Sequence, residues 1–384
     1  MKLPLPADYF KCPPLSPEEN DRYTRLAIQN AREMIEKADL TNARYQWKRI
    51  SDEAELEIFR GKDPYAPAAA TLHCAVIDLP GTIDEVANFY RTDTTEEAKE
   101  LVNRTSNGVL DIVNLYTIQD TPESKIQLQW IVGKGAFDGI VKKRDFCNLE
   151  GSLFFPGDDG KRTWVRCLKS LQIPCCPELP KLVRGVQYGS GMICRETHRP
   201  GRLELISVVH FNVRGNIPFA LQELAAKELC RTMKNVDRYL REDRLSATPF
   251  LMGSQFVPLV SRQRCHLCKR GFGPLRKKRN CFKCGEVVCS KCGPLWQVKV
   301  AETFVKVRAC TTCSLVNMPK GAEDASTVIS HLPTDSSEGQ SEISSVSEDY
   351  ESTDYDYDPS VISVSTDDSS MSRYSESTGG VMSW

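Results

Sequence analysis

The sequence predicts an α+β protein in which an antiparallel sheet precedes a long helix, a small cysteine-rich module and an acidic tail. Helical and strand patterns are grouped along residues 16–245 rather than alternating, which is typical of α+β folds. Eight of the 16 cysteines form four CxxC pairs. Residues 321–384 contain 18 serines and a net charge of −13, whereas residues 1–320 carry +12. A chain of 384 residues can form two or three folding units and bury at least one full core.

Capping signals mark the predicted helices. Ser16 and Thr82 each precede a glutamate three residues later, which is the capping-box pattern, and Pro17 takes the first helical position. Pro218 opens a long helix whose apolar residues recur at helical spacing. The helices are predicted over 16–40, from 82 onward, over 95–103 and over 218–241. The apolar side of the last helix is predicted to comprise Leu221, Leu224, Ala225, Leu229, Met233, Val236 and Leu240.

Alternating apolar residues predict the strands. In the clearest segment, Ile126, Leu128, Trp130 and Val132 share one face. The run from Pro156 to Gly160 predicts a hairpin turn. The strands are predicted as two within 44–60 and one each over 71–79, 109–118, 125–133, 140–149, 161–173, 189–198 and 202–213. Because the later strands follow one another without intervening helices, we expect an antiparallel sheet.

Four segments of residues 16–245 resemble the second half of a START domain. They are 143–147, 162–170, 200–205 and 213–218. The resemblance implies a helix-grip fold that holds one lipid or sterol in an apolar tunnel, with the helix 218–241 as its lid. Burial of an acyl chain or a sterol there would be stabilised by about 25 cal/mol per Å².

Other interpretations of the residues in the START-like segment remain open. Trp130, Phe137, Trp164 and the leucines of the closing helix would equally fill an ordinary core. Arg144 and Asp145 are adjacent on a strand and therefore point to opposite faces, so they predict either one buried charge or a surface pair.

Motifs of catalysis are absent from the sequence. The nearest approach to a G-x-S-x-G elbow, residues 188–192, has tyrosine in place of the first glycine. There is no phosphate-binding P-loop, and the five histidines form no H-E-x-x-H pattern. These absences favour a non-enzymatic protein. We also expect no secretory leader, no membrane span and no disulfide framework, and therefore a cytoplasmic protein.

The four CxxC pairs predict a metal centre within residues 262–316, which we call the cysteine module. Two such pairs complete a closed tetrahedral site with four thiolate ligands, so four pairs hold two structural zinc ions. In a module of this size the metal would supply much of the folding free energy. The predicted ligands are Cys265, Cys268, Cys281, Cys284, Cys289, Cys292, Cys310 and Cys313.

Charge and one apolar loop predict where the cysteine module binds. It contains 13 lysines and arginines and two glutamates, an excess that eight thiolates and two zinc ions reduce to +7. Four of the cations form the run 276–279, directly after Pro274 and Leu275. A loop tip that enters the bilayer beside cations suits an anionic membrane surface. The alternative is a basic face that is merely solvated.

The cysteine module resembles a FYVE domain, a family that binds phosphatidylinositol 3-phosphate on endosomal membranes. The resemblance implies interleaved zinc sites, in which the first CxxC pair joins the third and the second joins the fourth. The family's R-[RK]-H-H-C-R-x-C-G motif falls on residues 277–285, and its R-V-C motif falls on 308–310. The implied phosphoinositide-binding residues are Lys277, Lys278, Arg279 and Arg308, and the implied membrane-insertion loop is Pro274 and Leu275.

Departures from the FYVE pattern leave head-group selectivity open. The two motif histidines are replaced by Arg279 and Asn280, and the arginine after the cysteine is Phe282. The upstream W-x-x-D motif would fall on 256–259, where there is no aspartate. A RING-type ligase and a nucleic-acid-binding finger remain alternatives, although we expect no nucleic acid as partner.

The predicted organisation is a START-like domain over 16–245, a linker over 246–261, the cysteine module over 262–316 and a disordered Ser/acidic tail over 321–384. The sequence favours a peripheral lipid-binding protein that binds or senses a lipid or sterol. It would dock on phosphoinositide-containing, endosomal membranes. The alternative is a protein-interaction adaptor with a filled START-like scaffold. The acidic tail would weaken membrane binding if it folded onto the basic module.

Overall fold

A computed structural model describes residues 2–53, 55–105, 108–134, 141–157 and 160–315. The predicted tail and Phe137 lie outside these residues. Within them, no helix is both long enough and apolar enough to cross a membrane.

The helices follow the capping signals closely. Both predicted capping boxes are present: Ser16 and Thr82 each accept a hydrogen bond from the backbone N–H of the glutamate three residues later. The helices are α1 (Pro17–Ala38), α2 (Ile83–Tyr90), α3 (Thr95–Thr105), α4 (Phe219–Arg231) and α5 (Val236–Ser246). Short 3₁₀ turns lie at Ala43–Tyr45, Thr232–Asn235, Gly253–Gln255, Leu259–Ser261 and Cys313–Leu315.

The strands before α4 form one large sheet. They are β1 (Lys48–Glu53), β2 (Leu56–Arg60), β3 (Thr71–Pro80), β4 (Val109–Thr121), β5 (Ser124–Gly133), β6 (Arg144–Pro156), β7 (Arg162–Ser170), β8 (Val183–Arg184), β9 (Val186–Glu196) and β10 (Arg202–Asn212). Their order is β1-β2-β3-β10-β9-β7-β6-β5-β4, and all of these neighbours are antiparallel. The two-residue β8 pairs with β6 in parallel. The predicted α+β class is confirmed.

One face of the sheet packs against α1 and the N-terminal segment. Trp130 is fully buried there, and its ring centroid lies 5.5 Å from that of Phe10. The Trp130 indole N–H donates to Asp145 at 2.8 Å, and Arg184 pairs with the same carboxylate at 2.8 Å. Arg144 is also buried and donates to the carbonyls of Val213 and Arg214. Arg144 and Asp145 are therefore both interior groups, and the surface-pair reading is wrong.

The other face packs against α2, α4 and α5. Here α4 and α5, joined by the 3₁₀ turn Thr232–Asn235, together form the predicted long C-terminal helix, but α4 buries a different side from the predicted one. The buried side of α4 carries Gln222, Ala226 and Cys230, whereas Leu224 and Leu229 are 39% and 36% exposed. The physical reason is spacing. Residues 222, 226 and 230 lie on one side of the helix, and their small or flexible side chains let α4 lie close to the sheet.

Candidate metal centre and membrane surface

The cysteine module brings its eight predicted ligands into two tetrads. Cys265, Cys268, Cys289 and Cys292 form one, and Cys281, Cys284, Cys310 and Cys313 form the other, with all sulfur atoms of a tetrad within 4.8 Å of one another. The interleaved pairing is confirmed. Tetrahedral zinc with Zn–S bonds of about 2.3 Å places sulfurs about 3.8 Å apart. The 3.9 Å between the sulfurs of Cys268 and Cys289 fits that requirement.

Backbone N–H groups support the thiolates. The amide of Cys289 donates to Cys265 Sγ at 3.3 Å, and the amide of Cys310 donates to Cys281 Sγ at 3.2 Å. Each bond ties one tetrad position to another across the chain. Closed Cys₄ sites of this kind supply folding free energy when zinc is bound and leave no open position for a substrate.

Two short hairpins hold the tetrads. One pairs β11 (Arg279–Asn280) with β12 (Val287–Val288), and the other pairs β13 (Leu295–Val300) with β14 (Thr303–Arg308). Trp296 of β13 is buried and donates its indole N–H to the carbonyl of Ala309 at 2.8 Å. The core of the cysteine module is small, so the zinc sites define its shape.

Two arginines of the predicted phosphoinositide set come together. Arg279 begins β11, and Arg308 ends β14. Burial, and after it the nearby guanidinium of Arg279, lower the pKa of Arg308. In the described part of the chain, neither guanidinium has a carboxylate within 4 Å. A pair of guanidinium groups without an acidic partner has the charge and the donors that an anion such as a phosphate requires.

The other predicted binding residues lie close along the chain. The Lys278 ammonium lies 5.8 Å from the centroid of the Phe272 ring, and Lys277 is exposed. The predicted insertion loop is a tight turn in which the Arg276 amide donates to the Gly273 carbonyl at 2.9 Å. Leu275, at its tip, is fully exposed.

The residues that depart from the FYVE motif have structural contacts instead. The side-chain amide of Asn280 donates to the carbonyls of Val257 and Gly285, at 2.8 and 3.0 Å. The rings of Phe256 and Phe282 meet edge to face, 4.9 Å apart. These contacts fasten the segment before the cysteine module onto it. Consequently Asn280 and Phe282 do not offer the hydrogen-bond donors that the motif residues would.

The cysteine module also contacts α5, and the sequence does not predict this contact. Glu242 of α5 is buried, and its carboxylate accepts the backbone N–H of Gln297 in β13 at 3.0 Å. One turn later, the Ser246 hydroxyl accepts the N–H of Lys299 at 2.9 Å. The helix that covers the sheet therefore also covers the edge of β13.

The predicted linker also contacts the cysteine module. Lys283 donates to the Thr248 hydroxyl at 2.6 Å, and its ammonium lies 3.7 Å from the centroid of the Phe250 ring. The backbone N–H of Leu251 donates to the carbonyl of Phe282 at 2.7 Å. Residues 248–257, which connect the large sheet to the cysteine module, therefore pack against that module.

Comparison with known families supports the assignment of the two tetrads as zinc sites. Residues 255–317 match the FYVE zinc finger family model. This match begins seven residues before the predicted boundary at 262 and includes the 256–257 segment. No curated protein matches the chain.

The chain is also similar to solved structures of StAR-related lipid transfer proteins. Human StAR-related lipid transfer protein 5 is 18% identical, with a TM-score of 0.47, and the match covers 58% of this chain and 98% of that one. Human STARD10 is 12% identical with a TM-score of 0.39, covering 55% and 81%. The human StarD13 (DLC2) lipid transfer and protein localization domain is 16% identical with a TM-score of 0.36, covering 54% and 94%. The FYVE model match and these structures correspond to the two families that the sequence resembles.

Proposed function

We propose that this protein is a non-enzymatic peripheral membrane protein whose FYVE-type module docks on phosphoinositide-containing membranes, including endosomes. Its N-terminal domain binds or senses a lipid between the sheet and α4. The observation that carries the docking proposal is the arginine pair Arg279 and Arg308, which lacks an acidic partner in the described residues and belongs to the same small module as the exposed Leu275.

The arrangement of the cysteine module supports three contributions to binding. The guanidinium groups of Arg279 and Arg308 present planar donors that suit a phosphate. Lys278 adds attraction to the anionic surface, and each cation near such a surface contributes about 1 kcal/mol. Leu275 contributes to binding because its exposed side chain leaves water and enters the bilayer. The zinc ions fix the loops that carry these groups.

The test is vesicle co-sedimentation of the full zinc-loaded chain. The vesicles contain phosphatidylcholine with phosphatidylserine or with one of the monophosphorylated phosphoinositides. We expect the 3-phosphate lipid to bind most tightly. We expect Lys278→Ala/Arg279→Ala to weaken that binding about 30-fold, from about 1 kcal/mol for each cation.

A matched control removes the same charge elsewhere on the cysteine module. Lys291 and Lys306 are both exposed, so Lys291→Ala/Lys306→Ala has an equal net charge. Equal loss in the two double variants, with no preference among anionic lipids, would reduce the module to an electrostatic anchor. No binding to any vesicle would refute the docking proposal and favour the adaptor alternative.

A further inference from the structure

Two cysteines outside the cysteine module meet on the α1 side of the large sheet. Cys12 belongs to the segment before α1, and Cys175 belongs to residues 171–182 between β7 and β8, which we call the proline loop. Their Sγ atoms lie 2.9 Å apart, although the two residues are 163 positions apart along the chain. Both are free thiols. The fold, and not proximity in sequence, therefore brings them together.

The segment that carries Cys12 is attached on both sides of this cysteine. Before it, the Phe10 ring packs against Trp130 with a centroid distance of 5.5 Å. After it, the carbonyl of Pro13 accepts the hydroxyl of Tyr116 on β4 at 2.7 Å. These two contacts limit the movement of Cys12 away from its neighbour.

The buried ion pair of the sheet holds Cys175 in place. Arg184 pairs with the buried Asp145 carboxylate and also donates to the carbonyl of Cys176 at 3.2 Å. The backbone N–H of Cys176 donates to the carbonyl of Ile173 at 3.1 Å, which closes a turn. Cys175 lies within this turn, so an interior interaction positions its sulfur against Cys12.

The surroundings of the pair favour dithiol chemistry over metal binding. In the part of the chain that the structure describes, the groups of three or more possible metal ligands are the two zinc tetrads, and neither includes Cys12 or Cys175. Two thiols supply only half of the ligands that a closed zinc site needs. Two sulfurs in contact form a disulfide instead, and its S–S bond of about 2.05 Å requires them to approach by less than about 1 Å.

The two cysteines are accessible and differ in their roles. Both are half-buried, and each has an exposed proline beside it, Pro13 and Pro174, so a small molecule in solution can reach the pair. Cys12 donates its S–H to Cys175. Burial, and after it this hydrogen bond, raise the pKa of Cys12 to about 12, so Cys12 stays protonated at neutral pH. Since a thiolate is the attacking species in thiol chemistry, Cys175 reacts first.

We propose that Cys12 and Cys175 form a reversible oxidation site, at which a low-molecular-weight disulfide such as oxidised glutathione converts the two thiols into a disulfide. First, the sulfur of Cys175 attacks one sulfur of oxidised glutathione, which forms a mixed disulfide and releases one glutathione. Then the sulfur of Cys12 attacks the sulfur of Cys175 and displaces the second glutathione. The two cysteine protons end on the two released glutathione thiols, so two thiols are oxidised and one disulfide is reduced.

The new bond would fasten the N-terminal segment to the proline loop. It would close a loop of 163 residue steps, and a disulfide that closes a long loop stabilises the fold mainly by restricting the unfolded chain. We expect oxidation to raise the unfolding temperature by about 5 °C or more. Because the two sulfurs are partly exposed, a reductant in solution reverses the reaction.

The experiment maps disulfides in the full zinc-loaded chain. The chain is incubated with reduced glutathione alone or with mixtures that contain oxidised glutathione, and free thiols are then blocked with N-ethylmaleimide. Digestion with trypsin without reductant releases Cys12 in peptide 12–22 and Cys175 in peptide 170–181. We expect mass spectrometry to find these two peptides joined after oxidation and separate after treatment with dithiothreitol.

Matched variants identify the sulfur that reacts, because peptide 170–181 also contains Cys176. Cys176→Ser should keep the joined peptides and the rise in unfolding temperature, whereas Cys175→Ser should abolish both. Bound zinc is measured in every sample by atomic absorption. Two zinc ions per chain after oxidation show that the tetrads remain intact.

Two results would overturn the proposal. The first is N-ethylmaleimide on both Cys12 and Cys175 in every glutathione mixture. The second is glutathione retained on Cys175 beside a blocked Cys12, since the two sulfurs would then not meet in solution. Fragmentation of the joined peptides of the unsubstituted chain distinguishes Cys175 from Cys176 even if a variant does not fold, and attachment to Cys176 would also contradict the assignment.

Discussion

Leu275 provides the sharpest test of membrane docking. Its side chain is fully exposed at the tip of a turn closed by hydrogen bonds between Gly273 and Arg276. Moving a leucine side chain from water into an apolar medium contributes about 1.5–3 kcal/mol. Because 1.4 kcal/mol corresponds to a tenfold change, Leu275→Ser should weaken vesicle binding about 10- to 150-fold.

The salt dependence distinguishes insertion from charge attraction. Exposed charges are screened over about 10 Å at 0.1 M salt and about 3 Å at 1 M, whereas burial of a leucine is not screened. The fold loss in Leu275→Ser should therefore stay constant between low and high salt. The loss in Lys278→Ala should shrink as salt rises.

Vesicle co-sedimentation at two salt concentrations measures both effects. The control is Leu224→Ser, the same substitution at an exposed leucine of α4, which should leave binding unchanged. If Leu275→Ser binds as tightly as the unsubstituted chain, the loop does not enter the bilayer and the reasoning from exposure fails.

Three further predictions follow from the contacts described above. Glu242→Ala should lower the free energy of unfolding, measured by urea denaturation, by about 3 kcal/mol, because a buried charge-assisted hydrogen bond to Gln297 is lost. The control is Glu302→Ala, at a side chain that is 93% exposed, which should change the same free energy by less than about 0.5 kcal/mol. Cys281→Ser should reduce bound zinc from two ions per chain towards one by atomic absorption, whereas Cys12→Ser should retain both. Burial, and after it the Lys37 ammonium 3.0 Å away, lower the pKa of His210 to about 3 from 6.5, so the unfolded chain takes up this proton first as pH falls below 6.5. His210→Gln should therefore lose about 2 kcal/mol less stability than the unsubstituted chain between pH 7 and pH 5; identical losses would contradict this.

Local features were predictable because they depend on chain geometry alone. The capping boxes at Ser16 and Thr82 and the alternation around Trp130 depend on residues within one or two turns of each other. The sequence therefore predicts these elements and places their ends within a few residues of the observed ones. The two zinc tetrads were predictable because four closely spaced CxxC pairs are typical of structural zinc sites. Their interleaved pairing was predictable only from the resemblance to the FYVE family.

Other features depend on residues that are distant along the chain. Helical spacing predicts the wrong buried side for α4, because it identifies apolar stripes but not which side of the helix contacts the sheet. The segment 256–257 was recognised as a departure from the FYVE motif, yet its attachment through Asn280 depends on the fold of the cysteine module.

The α+β class, the two-zinc module and the basic loop with Leu275 at its tip follow from the sequence alone. The pairing of β10 with β3, the contact of Glu242 with β13 and the burial of both Arg144 and Asp145 become visible only in the fold. The reason is physical. Capping, alternation and ligand spacing are encoded in neighbouring residues, whereas the pairing of β3 with β10 and the contact of Glu242 with Gln297 join segments that are distant along the chain.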